Sequence, residues 1–244
     1  METVKLQKYF SDCAIMSRRA AEEEIKSGKV TVNGEPATLG LRIDPTHDIV
    51  IYKGKRILPP SRQRTYILLN KPRGIVTTLS DEKGRPTVLS LLYGLKTRVY
   101  PVGRLDFNSD GLLLLTDDGA LTYQLTHPRH HIPKIYNVTV MGEVSESQLT
   151  KLSSALVIDG YKIQPVKVEI IKKEPSCTTL KMTLYEGRNR QIRKMCEICK
   201  LSIKTLTRVA MGDISLGTLP VGKWRYLTPD EVEYLKKESA QDKR

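Results

Sequence analysis

The chain has 244 residues, with 40 Lys and Arg against 27 Asp and Glu, and a net charge of +13. That is room for two modest domains or one large one, and the excess predicts a polyanionic partner, RNA or DNA ahead of an anionic membrane surface. No apolar run approaches the roughly 18 residues of a membrane span. The opening METVKLQKYFSDC lacks the apolar core of a signal peptide. Four scattered cysteines make no disulfide framework, so a reducing cytoplasm is the expected compartment.

In chain order, Leu6, Phe10 and Cys13 are spaced for a first helix. A second starts after Ser17, a good N-cap, and ends near Gly28, a good C′ residue, with Glu22 and Lys26 as an i,i+4 pair. KVTVNG alternates into a short strand and a turn at Asn33-Gly34, and DIVIYKG supplies another strand. RILPPSRQR reads as an extended linker. The expected boundaries are therefore 1–58 for an N-terminal domain, 59–64 for the linker, 65–238 for a larger domain and 239–244 for a flexible, charged tail.

Beyond the linker, TYILLNKP is a strand stopped by Pro72, with Gly74 continuing the turn. GLLLLT is a buried strand by its unbroken apolar run, and IYNVTVMG, VKVEIIKK and TTLKMTLYEG are further strands. Helices are expected over 120–126, 145–156, 189–199 and 229–237. Strands mostly neighbour strands, so the fold class is α+β, with a mixed or antiparallel sheet rather than a doubly wound parallel one.

Cations mark two places. Arg18 and Arg19 occupy the first turn of the second helix, where the macrodipole disfavours them. Solvation could absorb that cost, or they face phosphates together with Lys29. LYEGRNRQIRKM, residues 184–195, has a turn-permitting Gly187 and then a helix carrying Arg190, Arg193 and Lys194 beside Ile192.

VGRLDFNSDGLLLLTDDG, residues 102–119, holds four aspartates. Asp117 and Asp118 precede a helix and read as N-caps. Asp110, before Gly111, reads as turn chemistry. Asp106 sits at a strand-to-loop edge, where a carboxylate in an RNA-binding protein repels phosphates unless it has a task. Its alternatives are catalysis, a salt bridge to Arg104, or another turn cap. One of the helix arginines could pair with it, since an opposite charge offsets desolvation in a closed cleft, but spacing does not choose which. Tyr136, in KIY, could stack on a splayed-out base or belong to the core.

Metal sites fare poorly. Cys196 and Cys199 form one C-x-x-C without a second pair, and their spacing matches Ile192 on one buried helical face. His127, His130 and His131 are interrupted by Pro128, and no Glu stands where a zinc protease needs one.

Two resemblances sharpen this. Residues 4–55, LQKYFSDCAIMSRRAAEEEIKSGKVTVNG above all, resemble the small RNA-binding module first described in small-subunit ribosomal protein four, with Cys13-Ala14 and PTHD as departures. NKPRG, GRLDFNSDGLLLLTDDG, KIY and LYEGRNRQIRKM resemble, in order, the motifs of the RsuA-type ribosomal RNA pseudouridine synthases. That resemblance covers about 66–235 and implies a central mixed, mostly antiparallel sheet, flanked by helices, with the active-site cleft across it.

The resemblance also implies site residues. The family's aspartate falls on Asp106, its base-stacking tyrosine on Tyr136 and its aspartate-pairing arginine on Arg193. Lys71, Arg104, Arg188, Arg190 and Lys194 are expected as RNA contacts beside Arg18, Arg19 and Lys29. The implied reaction turns a flipped-out uridine into pseudouridine with no cofactor and no metal. GRNRQIRKMCE and LPVGKWRYLTPDE look more like members acting on large-subunit ribosomal RNA, the RluB type, than on small-subunit RNA. The expected partner is ribosomal RNA, free or in pre-ribosomal particles, bound by a monomer without a membrane. The alternatives are the same chemistry on small-subunit RNA, or a non-catalytic ribosome-assembly factor.

Overall fold

The computed structural model describes residues 3–59, 63–127 and 132–240. Two compact units emerge, the first comprising Met1–Thr65 with Leu95–Val99 and Thr116–Gly119, the second the remainder. The two short segments that join the first unit were not legible in the sequence, because they are distant along the chain. Residues 60–62 of the expected linker lie outside the described residues.

In the first unit, β1 (Val4–Lys5) leads into α1 (Leu6–Asp12) and α2 (Arg18–Lys26), followed by β2 (Val30–Val32), β3 (Glu35–Pro36), β4 (Arg42–Ile43), β5 (Val50–Tyr52) and β6 (Lys55–Ile57). Ser17 caps α2 by accepting the Ala20 amide at 3.1 Å, and Gly28 past its end takes φ +71°, as a C′ residue should. Leu6, Tyr9, Phe10, Ala21 and Ile25 bury against Val30, Ile43 and Val50. The expected Glu22–Lys26 pair does not form. Lys26 turns to Glu23 at 3.1 Å, and Glu22 accepts from Gln7 at 3.1 Å, because α1 offers Glu22 an amide donor.

The second unit is built on a nine-stranded sheet. Its strands are β7 (Tyr66–Lys71), β8 (Tyr100–Pro101), β9 (Asp110–Thr116), β10 (Lys134–Met141), β13 (Lys167–Glu174), β14 (Cys177–Leu184), β15 (Ile203–Met211), β16 (Ile214–Ser215) and β17 (Trp224–Tyr226). A separate hairpin pairs β11 (Val157–Ile158) with β12 (Tyr161–Lys162). The helices are α3 (Gly119–Thr126), α4 (Glu146–Ser153), α5 (Gln191–Ile198) and α6 (Pro229–Ala240). The main path runs β13-β14-β10-β15-β9-β7-β17. The β10–β14, β10–β15 and β13–β14 ladders are antiparallel, whereas β15 joins β9 in parallel. This is the expected α+β class.

Two cores stabilise this unit by burial of apolar surface. Val138, Val140, Leu180 and Met182 pack with Leu152, Ile192, Met195, Cys196 and Cys199. The C-x-x-C pair is thus core, and burial pushes the Cys196 thiol up to about 12. Leu112 and Leu114 of β9 pack with Leu121, Leu125 and Leu235. Residues 239 and 240 of the expected tail are helical, and 241–244 lie outside the described residues. α6 runs to Ala240, and Ser239 is buried with its hydroxyl donating to Gln124 at 3.0 Å.

Candidate active site

Asp106 lies in the turn between β8 and β9, with the Ser109 amide donating back to its carbonyl at 3.1 Å. The turn is gripped from several sides. Thr77 donates to the Leu105 carbonyl at 2.8 Å, and the Gly74 amide to Phe107 at 2.8 Å. Lys71, fully buried, donates through Nζ to the carbonyls of Pro72 (2.9 Å), Asp106 (3.2 Å) and Ser109 (2.9 Å). That corrects its expected role as an RNA contact. No solvent reaches Lys71, and its three donors are spent on backbone that frames Asp106. Burial pulls its pKa down to about 8.

Arg193 of α5 completes the grip. Its Nη2 donates to the Asn108 carbonyl at 2.7 Å and to the Ser109 hydroxyl at 3.0 Å, while Nε reaches Asp106 Oδ2 at 3.4 Å. Arg190 Nη1 stands 3.8 Å from the same oxygen. The alternative partner, Arg104, makes no ion pair among the described residues, and is exposed at the cavity rim. The local backbone explains the arrangement. Arg190, at the N-cap position of α5, takes the left-handed conformation, φ +52°, a strained state for a non-glycine residue, and its exposed side chain lines the cavity. Gly187, expected to supply that freedom, is absent from the positive-φ residues.

The remaining expected cations divide. Arg188 stacks on Tyr161, 3.1 Å from the ring centroid, and pairs with Glu186 at 3.5 Å. Lys194 is held by Asp159 and is not among the cavity-lining residues. Lys29 pairs with Glu24 at 3.0 Å, whereas Arg18 and Arg19 are exposed and enter no ion pair among the described residues. Asp110 is no turn residue. It opens β9 and pairs with Arg73 at 2.9 Å. Asp117 accepts the Thr65 amide at 2.7 Å. His130 and His131 lie outside the described residues, and His127 packs against Tyr123.

A cavity of about 180 Å³ opens beside Asp106, walled by Tyr136, Arg190, Arg193, Leu184 and Leu206. Tyr136 is half-buried on β10, directly opposite Arg208 of β15. Two cations of this wall escaped the sequence reading. The motif KIY assigns Lys134 no role, and no motif covers Arg208. Period-two alternation held the signal, since Arg208 falls on the same face as buried Leu206. The arrangement presents a carboxylate, an aromatic face and several donors to a ring-sized cavity, which suits an electron-rich planar guest. Among the described residues no cluster of acidic, His or Cys side chains could hold a metal.

Known proteins place this geometry. Residues 65–198 match the family model described as RNA pseudouridylate synthase, and residues 16–50 match the S4 domain. An RNA pseudouridine synthase of Aquifex aeolicus is 38% identical over 96% of this chain and 94% of its own. The ribosomal large subunit pseudouridine synthase B of Bacillus subtilis is 37% identical, with 95% of each chain covered. The dual-specificity RNA pseudouridine synthase RluF of Escherichia coli is 37% identical over 94% of this chain and 77% of its own. A pseudouridylate synthase crystal structure, 30% identical, superposes with a TM-score of 0.68 and covers 95% of this chain and 99% of that one. This chain belongs to the RNA pseudouridylate synthase family, as an S4-domain enzyme that isomerises uridine in RNA.

Proposed function

We propose that the substrate is a uridine of large-subunit ribosomal RNA and that Asp106 is the catalytic carboxylate. The observation that carries this reading is the setting of Asp106. Backbone contacts from Lys71, Thr77 and Arg193 fix its turn, and its carboxylate faces a cavity roofed by Tyr136. Rigid placement of a reacting group converts binding into rate. The kinship to the Bacillus subtilis large-subunit enzyme along nearly the whole of both chains supports the target.

The target uridine flips from its helix into the cavity, at a cost of a few kcal/mol, and its ring stacks on Tyr136. With Asp106 acting on the ribose or the base, the N1–C1′ bond breaks and its electron pair stays with the uracil. The ring turns, C5 bonds to C1′, the C5 proton leaves to water and N1 takes one up. Nothing is oxidised or hydrolysed, so side chains suffice without a cofactor. Exposed Arg18 and Arg19 contact RNA phosphates. The protein works as a cytoplasmic monomer on ribosomal RNA, free or within pre-ribosomal particles.

Mapping pseudouridines in ribosomal RNA from cells lacking this protein tests the reading. One large-subunit site should lose its pseudouridine and regain it with the wild-type gene. Loss confined to small-subunit RNA overturns the target, and no loss anywhere overturns a ribosomal substrate.

A further inference from the structure

Lys134, Tyr136 and Arg208 share one face of the sheet, and all three line the cavity. Lys134 and Tyr136 are two apart on β10, and Arg208 is the register partner of Tyr136 on β15. Neither cation has an acidic partner among the described residues. Among the described residues Lys134 donates only to the Ile132 carbonyl, at 3.1 Å. Arg208, 4% exposed, donates through Nε to the Leu112 carbonyl at 2.7 Å, and its Nη2 is buried without a hydrogen-bond partner among the described residues. Of the two acids that line the cavity, Asp106 is engaged by Arg193 and Arg190, and Glu186 by Arg188.

Two unneutralised cations in one cavity are costly. Burial, together with the nearby Arg208 charge, lowers the Lys134 pKa to about 8. An unpaired buried donor adds to that cost. Such an arrangement suits a guest that brings negative charge or strong acceptors. Within the reaction proposed above, one species does so. When N1–C1′ breaks, the electron pair passes to the uracil and spreads onto its two carbonyl oxygens.

We infer that Lys134 and Arg208 are further catalytic residues, which bind the uracil carbonyl oxygens and stabilise the negative charge on the departing base. The charge is transient. It is consumed when C5 donates the pair to C1′, and the C5 proton then leaves to water. Ground-state uridine needs this charge little, so the effect falls on the rate more than on RNA affinity. The inference rests on the reaction proposed for this cavity.

The test compares single-turnover rates of wild type, Lys134→Met and Arg208→Gln on RNA carrying uridine or 5-fluorouridine at the target site. Loss of the starting uridine or 5-fluorouridine nucleoside is read by mass spectrometry, because fluorine at C5 leaves no proton to depart and only the steps up to C5–C1′ bond formation are common to both substrates. Fluorine withdraws electrons and makes the uracil a better leaving group, so it depends less on external cations. Lys134→Met should slow reaction at uridine by about 100-fold, keep RNA affinity, and show a several-fold smaller deficit on 5-fluorouridine. Arg208→Gln should move the same way. If its melting temperature shows that it fails to fold, Lys134→Met decides alone.

A Lys134→Met rate within about twofold of wild type overturns the inference, as does an equal deficit on both substrates. Asp106→Asn runs alongside. Its inactivity beside an unaffected Lys134→Met sinks this inference only, whereas its full activity sinks the role of Asp106 itself.

Discussion

The two units use positive charge in opposite ways. In the first, Lys26, Lys29 and Lys53 lie on the surface against Glu23 and Glu24, leaving Arg18 and Arg19 exposed and unpaired among the described residues. In the second, Lys71 and Arg208 are buried, Lys134 and Arg193 are half-buried, and each donates to a named carbonyl or carboxylate. Surface cations act through a summed field that salt screens. Buried cations act through direction, and salt hardly reaches them. The first unit should therefore govern affinity, and the second should govern rate.

Removing Arg193 should produce the largest contrast. Arg193→Met takes away an ionic partner of Asp106 and two bonds to its turn, and should lower kcat by about 10²–10³-fold, equally at low and high salt. A loss that salt alone reproduces would erase the distinction between the units.

Glycine substitutions probe the same contrast in packing. Gly111 has φ +105°, and a Cβ there would press into the Arg208 backbone of the paired strand. Gly34, in a first-unit turn at φ +90°, would meet nothing. Gly111→Ala should cost about 3 kcal/mol or more and Gly34→Ala about 1 kcal/mol, read as denaturant midpoints. Equal costs would contradict the close β9–β15 approach.

A pH profile comes next. Lysine carries its charge below its pKa, and burial lowers that of Lys134 from 10.5 to about 8. Its cation is therefore present below that pH and lost as pH rises through it. kcat should fall along that limb, and Lys134→Arg, which stays charged, should shift the limb upward by at least about one unit. An unmoved limb assigns the titration elsewhere; Lys71, also lowered to about 8, is the other lysine there.

The smallest effect belongs to the first unit. Replacing Arg18 and Arg19 with Ala should flatten the salt dependence of RNA binding by about 1.5 in log–log slope and leave kcat unchanged. A change in kcat would mean that these arginines serve the chemistry.

The sequence reading reached the elements through local signals, periodicity and caps; the trio of Asp106, Tyr136 and Arg193 came from the family resemblance, and the structure brings the three around one cavity. It missed contacts whose partners are backbone atoms far along the chain. Nothing in NKPRG announces that Lys71 is spent on carbonyls 35 and 38 residues away. Nor does DG reveal that Asp110 pairs with Arg73 rather than shaping a turn. Arg208 was within reach, since alternation along β15 puts it on the inward face beside Leu206. A lone arginine in a strand simply reads as solvated until the register shows Tyr136 opposite.

The central claim is that one carboxylate in a rigid turn does the chemistry, and tritium release from ribosomal RNA labelled at uracil C5 tests it most directly. Wild type should release tritium, and Asp106→Asn, folded and binding RNA normally, should release it at least about 10⁴-fold more slowly. Release at the wild-type rate from Asp106→Asn would contradict the account.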